Sequence, residues 1–404
     1  MVDVEGLGLD FALRCSEAGH EVRWFRADAK KSRDGEGFKG IARVRDWRDH
    51  MQWARNGVIL NTGNCKYLAE LDRYRELGLP IFGPSQQSAA LEVKRSLGMD
   101  ALKKAGIDLP PYKMFNSLEE AAAHARKSSD AYVFKTMGDE CDKSLTYVSK
   151  DPADMVGWIE QKIDRGLKLR GPCMLQEKID MLCEFGVSGW FGKEGFLEDK
   201  WQICFEHKKL MNGEIGPATG EQGTVTQYVE TSLLAEECLF PLESLFRKLN
   251  HRGDTSVGVG IDKKGKAWPF EFTMRLGYPA WFLQIASHKG DPLQWMKDAL
   301  DGKDTLKVSR EVCTGVVCAQ PPYPSEKFTP DEVEGNPISG LDEVWEDIHP
   351  CAVMIGRGPV MDGGKVVDKP MYQTTGPYVL VATGLGQNLA ASKKSVYNAI
   401  RKVS

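Results

Sequence analysis

Glu206-His207-Lys208-Lys209, followed closely by Gly216-Pro217-Ala218-Thr219-Gly220-Glu221-Gln222-Gly223, is the stretch on which the reading of this chain turns. Three cationic or protonatable side chains lead into a segment with glycines at 216, 220 and 223. Glycine lacks a Cβ and accepts positive φ, so successive N–H groups can turn inward around phosphate or carboxylate oxygens. Lysine adds the charge such oxygens favour. The segment reads as an anion-holding loop; the plainer alternative is a Gly-Pro turn beside a solvated basic face.

Around it lies a chain of 404 residues, long enough for several domains. It is 42% apolar and 27% charged, with a mean hydropathy of -0.37. A net charge of -4 provides no overall field for nucleic acid, so an anionic ligand must be held by local clusters. The ten cysteines form no CxxC pair, which fits free thiols in a reducing compartment better than disulfides or a zinc site. With no signal-like start and no long apolar run, a cytoplasmic protein without membrane contact is expected.

Upstream, residues 1–85 alternate between short apolar strands (2–4, 21–25, 57–61, 79–82) and helices (10–18, 66–76). This rhythm predicts a parallel sheet with helices on both faces. The Gly6-Leu7-Gly8 turn lies where a phosphate could meet a helix N-terminus. The strand before it is a stub, unless the sequence given starts downstream of the natural one. A helical stretch over 88–105 leads to the Pro110-Pro111 break. Residues 113–180 read as a compact α/β lobe with strands near 132–135, 146–149 and 174–178. A larger mixed region runs from Glu184 to about Lys307. Residues 311–404 form a turn-rich C-terminal part that closes on a strand at 378–383 and a helix at 389–402.

Lys135 ends an apolar strand, and Lys143 follows in a glycine-containing segment. Gln176-Glu177-Lys178 ends the next strand, with Glu184 after it. In Phe270-Glu271-Phe272-Thr273-Met274-Arg275, alternation puts 271, 273 and 275 on one face. A carboxylate and an arginine side by side suit a metal-bridged phosphate. Each has a bland counterpart, a solvated lysine or a structural ion pair. Their order along the chain carries the functional reading.

That order resembles the ATP-grasp superfamily, and within it the phosphoribosylamine–glycine ligases. The resemblance runs through Gly83-Pro84-Ser85 with Ala89-Ala90-Leu91-Glu92, then Phe134-Lys135, Gln176-Glu177 and Glu184. It continues through His207-Lys208-Lys209, Gly216-Pro217-x-Thr219-Gly220-x-x-Gly223 and Phe270-Glu271-Phe272-x-x-Arg275-x-Gly277-x-Pro279 to Val379–Gly386. It implies an α/β ATP-grasp fold in three parts: an N-terminal parallel α/β domain (1–85), a two-lobed core (86–310, small lobe 113–180) and a small C-terminal α+β domain (311–404). It also implies ATP and Mg²⁺, with Mn²⁺ as a substitute. Arg95, Lys135 and Lys143 would contact phosphates, Glu177 adenine and Glu184 the ribose. Glu271 and Thr273 would lie at the metal. Arg275, His207, Lys208 and Lys209 would face the reacting phosphate. Gly6, Gly8, Gly216, Thr219, Gly220 and Gly223 would line the substrates.

The chain departs from the family's pattern at several of these places. Arg95 stands for a phosphate lysine, and the loop of Gly138–Ser144 carries the acids Asp139, Glu140 and Asp142. Thr273 replaces an asparagine, and Tyr278-Pro279-Ala280 replaces Asp-Pro-Glu. The N-terminal motif is altered, and Asn61-Thr62-Gly63 stands where Gly-Pro-Glu is usual. The expected function is ligation of a carboxylate, such as an amino acid, to an amine such as phosphoribosylamine through an acyl phosphate, by a monomer or homodimer. The alternatives are a related ligase of a viral or modification pathway with other substrates, and a non-catalytic nucleotide-binding homologue.

Overall fold

The computed structural model describes residues 1–4, 6–27, 32–137, 145–325 and 327–404. Strands Val2–Asp3, Val22–Arg26 and Ile41–Val44 pair in parallel, as do Ile59–Leu60 and Ile81–Phe82. A bridge between Val2 and Asn61 joins the two sets. The spatial order therefore reverses beside the first strand, where a doubly wound sheet leaves its crevice. The strand at 41–44 was not foreseen, because its half-exposed Ile-Ala-Arg-Val sequence carries little apolar signal.

This sheet docks on the rest through Gly83, whose N–H donates to the Arg252 carbonyl at 2.6 Å. Gly83 holds φ +138, and a Cβ there would stand 2.5 Å from the Asn61 carbonyl oxygen, so glycine is required. Ser85 and Ser88 then form a capping box that starts helix Gln86–Val93. The expected single helix over 88–105 is two: the chain breaks at Lys94 and resumes as Arg95–Lys104. The break sets Arg95 in the first turn of the second helix.

The small lobe is an antiparallel sheet in the order Tyr112–Phe115, Cys173–Glu177, Tyr132–Thr136, Tyr147–Val148. Helices Leu118–Ala125 and Pro152–Asp164, N-capped by Ser117 and Asp151, cover one face and bury Phe134, Leu175 and Ile159. The other face is left to the cleft.

Eight antiparallel strands form the main sheet, in the order Ala267–Thr273, Gly253–Asp262, Met181–Phe191, Trp201–Met211, Ile215–Val229, Val312–Ala319, Tyr378–Gly386, Ile348–Pro350. The sheet thus runs across residue 310. Helix Ala280–Ser287 packs on it, with Trp281, Trp190, Trp295 and Phe82 in one aromatic core. The turn-rich C-terminal part also holds a long ribbon, Val353–Asp362 with Lys365–Thr374, turned at Gly363-Gly364. Cys15, Cys173, Cys183, Cys204, Cys238, Cys313, Cys318 and Cys351 form no disulfide among the described residues. No helix among those residues is long and apolar enough to cross a membrane.

Candidate active site

Alternation along Tyr132–Thr136 buries Tyr132, Phe134 and Thr136 against the lobe's helices and turns Lys135 into the cleft. Its ammonium donates to Gln176 Oε1 at 2.8 Å and lies 5.7 Å from the Phe270 ring across the cleft. Burial, followed by the Arg95 charge, lowers the Lys135 pKa to about 8; Glu271 and Glu184 act in the opposite direction. Arg95 Nη2 stands 3.8 Å from Glu271 Oε2. Four residues proposed from sequence, far apart in the chain, therefore meet between the lobes. Glu177 ends its strand opposite Tyr132, with its N–H on the Pro111 carbonyl at 2.8 Å. Lys143 and the loop of Gly138–Ser144 lie outside the described residues.

On the main sheet Glu271 pairs with Gly258 and Thr273 with Ser256, while Phe272 and Met274 are buried on the opposite side. The Glu271 side chain is 48% exposed and its ion pair with Arg95 is long, so its carboxylate can serve the cleft. Hard oxygen donors of this kind suit Mg²⁺, and Thr273 offers a weaker hydroxyl beside it. Arg275 lies past the strand end, its Nε 3.3 Å from Glu92 Oε1 and its Nη1 donating to the Leu276 carbonyl. Glu92 also accepts from the Met274 N–H at 2.8 Å and from Asn64 Nδ2 at 2.9 Å. This carboxylate fixes the arginine; the sequence reading quoted Glu92 without giving it a role.

The opening stretch is not a loop. Residues 207–223 belong to a β-hairpin whose tip is the turn Asn212–Glu214, and Thr219, Gly220 and Gly223 lie in its return strand. Gly223 pairs with both His207 and Val316, and Thr219 Oγ1 donates to the Lys208 carbonyl at 2.8 Å. Gly216, at φ +89, bends the strand near the tip. Strand alternation divides the three basic residues. Lys208 joins the site, 3.1 Å from Glu206. Burial works against its charge, but Glu206, with Glu271 and Glu184 beyond, holds its pKa above the usual lysine value. His207 instead contacts the tip, at Glu214 and the Met211 carbonyl. Lys209 pairs with Ala218, where the register of the hairpin shifts.

Further along the hairpin, donor atoms of Cys204, Glu206 and Glu221 lie within 4.8 Å of one another. Burial and then Glu206 push the Glu221 carboxyl well up, against the pull of Lys208 and Arg275. Nearby Asp254 is raised to about 7 by burial, and Gln284 Nε2 reaches both its carboxylate (3.3 Å) and Gln202 (3.0 Å). The sequence reading missed these residues. Glu221 was visible inside the glycine motif; Asp254 and Gln284 gave no local signal.

The N-terminal turn also departs from expectation. The Gly6 and Gly8 N–H groups, expected near a substrate phosphate, donate to Asp3 at 3.0 and 2.9 Å. Asp3 accepts further from Trp24 Nε1 and Thr62 Oγ1, each at 3.0 Å, and is fully buried. An internal carboxylate therefore takes both glycine donors.

A lysine-bearing small lobe facing a carboxylate-bearing antiparallel sheet, behind a parallel N-terminal sheet, defines an ATP-grasp fold. The chain superposes on the phosphoribosylamine–glycine ligase of Thermotoga maritima with a TM-score of 0.69, covering 100% of this chain and 96% of that one at 20% identity. An L-amino acid ligase from Bacillus licheniformis superposes with a TM-score of 0.58 over 100% and 96%, at 15% identity. In sequence the chain resembles the phosphoribosylamine–glycine ligases: it is 28% identical to that of Salmonella typhimurium over 347 residues, 81% of this chain and 75% of the relative. No family model matches.

Proposed function

We propose that this chain is an ATP- and Mg²⁺-dependent carboxylate–amine ligase working through an acyl phosphate, most like the phosphoribosylamine–glycine ligases it resembles. The observation that carries this is the meeting of Lys135, Arg95, Glu184, Glu271 and Lys208 between the two lobes. A triphosphate needs cations along its length and a hard carboxylate for its metal, and the cleft offers both.

Lys135 and Arg95 would lie along the phosphates, Glu184 at the ribose and the strand end at Glu177 beside adenine. Glu271 would hold Mg²⁺, or Mn²⁺ in its place, with Thr273 beside it; the bound ion would neutralise phosphate charge. Lys208 and Arg275 would steady the substrate carboxylate as its oxygen attacks the γ-phosphorus and ADP departs. The amine then attacks the acyl carbon, and phosphate leaves. No protein nucleophile is needed, so catalysis rests on positioning and charge neutralisation. Phosphate release and ADP formation from ATP, Mg²⁺, phosphoribosylamine and glycine test this directly, followed by a panel of carboxylates with hydroxylamine, which traps acyl phosphates as hydroxamates. Silence across the whole panel would overturn the ligase reading.

Asp3 favours a second reading at the level of the amine. Where both glycine N–H groups serve an internal carboxylate, a phosphorylated amine loses those donors and meets like charge. A ligase of the same chemistry with a different amine fits that turn.

A further inference from the structure

Glu221 has no function in the mechanism above, yet its placement is costly. Its Oε1 is buried with no hydrogen-bond partner among the described residues. The neighbouring cations have acids of their own: Lys208 has Glu206 at 3.1 Å and Arg275 has Glu92 at 3.3 Å. Thr224 and Thr226, opposite Glu206 and Cys204 on the adjoining strand, are 2% and 1% exposed, and their hydroxyls likewise lack partners among the described residues. Tyr323 and Tyr378 have rings 5.9 Å apart, and burial chiefly raises both phenols, with Glu221 near enough to add to the rise. A buried carboxyl with spare acceptors beside aromatic rings is a receptor for an organic cation.

We propose, resting on the ligase reading, that Glu221 with Thr224 and Thr226 holds the α-ammonium group of an amino-acid substrate whose carboxylate faces Lys208 and Arg275. An ammonium brings one positive charge and three donors, which match one free carboxylate and neighbouring hydroxyls. A divalent metal suits the group less well, because Glu206 is already paired with Lys208 and a buried thiol is a poor neighbour for a hard ion. Glu221 is then the residue that makes the enzyme select amino acids over simple carboxylic acids.

The test titrates amino acids, glycine first, into the protein saturated with Mg²⁺ and a non-hydrolysable ATP analogue, each against its α-hydroxy acid counterpart. At least one amino acid is expected to bind about tenfold or more tighter than its hydroxy acid, and Glu221→Gln to remove that preference. The Glu221→Gln substitution should raise the amino-acid KM in the hydroxamate assay by about tenfold or more and leave the ATP KM unchanged. Equal binding of the two series by the wild type, which needs no variant to fold, would overturn the proposal. So would an unchanged amino-acid KM in Glu221→Gln, or Zn²⁺ binding lost in that variant with amino-acid affinity intact. Turnover of hydroxy acids as readily as amino acids would refute this subsite while sustaining the ligase reading. Binding preference without any turnover would do the reverse.

Discussion

Lys135 is held in a state that matters only when an anion arrives. Burial lowers its pKa to about 8, so its charge is present below that pH and lost above it. ATP affinity should therefore fall as pH rises through about 8, with proton uptake on binding above it, measurable by calorimetry in buffers of different ionisation enthalpy. Because the unfolded chain keeps a lysine near its ordinary value, this residue costs the apo protein stability at neutral pH, and the cost fades between about 8 and about 10.5. Lys135→Met should abolish ADP formation and keep or raise the apo Tm at pH 7. Asp3 is the contrary case, with four donors converging on one buried carboxylate. Asp3→Ala should cost on the order of 3 kcal/mol or more in urea unfolding, since buried N–H groups lose their acceptor.

Among the elements, the hairpin shows how a strand sorts neighbouring side chains. Glu206 and Lys208 share the site face, whereas His207 turns to the tip. Lys208→Ala should lower kcat by about a hundredfold or more, while His207→Ala stays within a few-fold of wild type under the same assay. The glycines at 216, 220 and 223 suggested a loop because glycine weakens strand signals, but the charge alternation at 206 and 208 already carried the strand's period. The break at Lys94 had no Gly or Pro to announce it; Leu91 before it and Leu102 after it belong to one buried core with Phe272. On strand Ala267–Thr273 the period was legible, with Glu271 and Thr273 on the side opposite the buried Phe272. Thr273→Asn should tighten Mg²⁺ dependence in an ADP-release titration if that position touches the ion.

At the scale of the molecule, the site joins Arg95, Lys135, Glu184, Lys208 and Glu271 from elements that no local pattern links. Periodicity could place each on a strand or a helix, but only the family resemblance put them in one cleft. The buried acid Asp254 was beyond both routes, because its neighbours are chosen by sheet register and by helix Ala280–Ser287. The central claim is that the two lobes bring a carboxylate and the γ-phosphate of ATP into contact so that an acyl phosphate forms. A carboxylate substrate labelled with ¹⁸O, turned over with ATP, Mg²⁺ and hydroxylamine, tests it most directly by mass analysis of the released phosphate. One labelled oxygen in each phosphate, with ADP as the other product, is the expected result; unlabelled phosphate, or AMP with pyrophosphate, would contradict it.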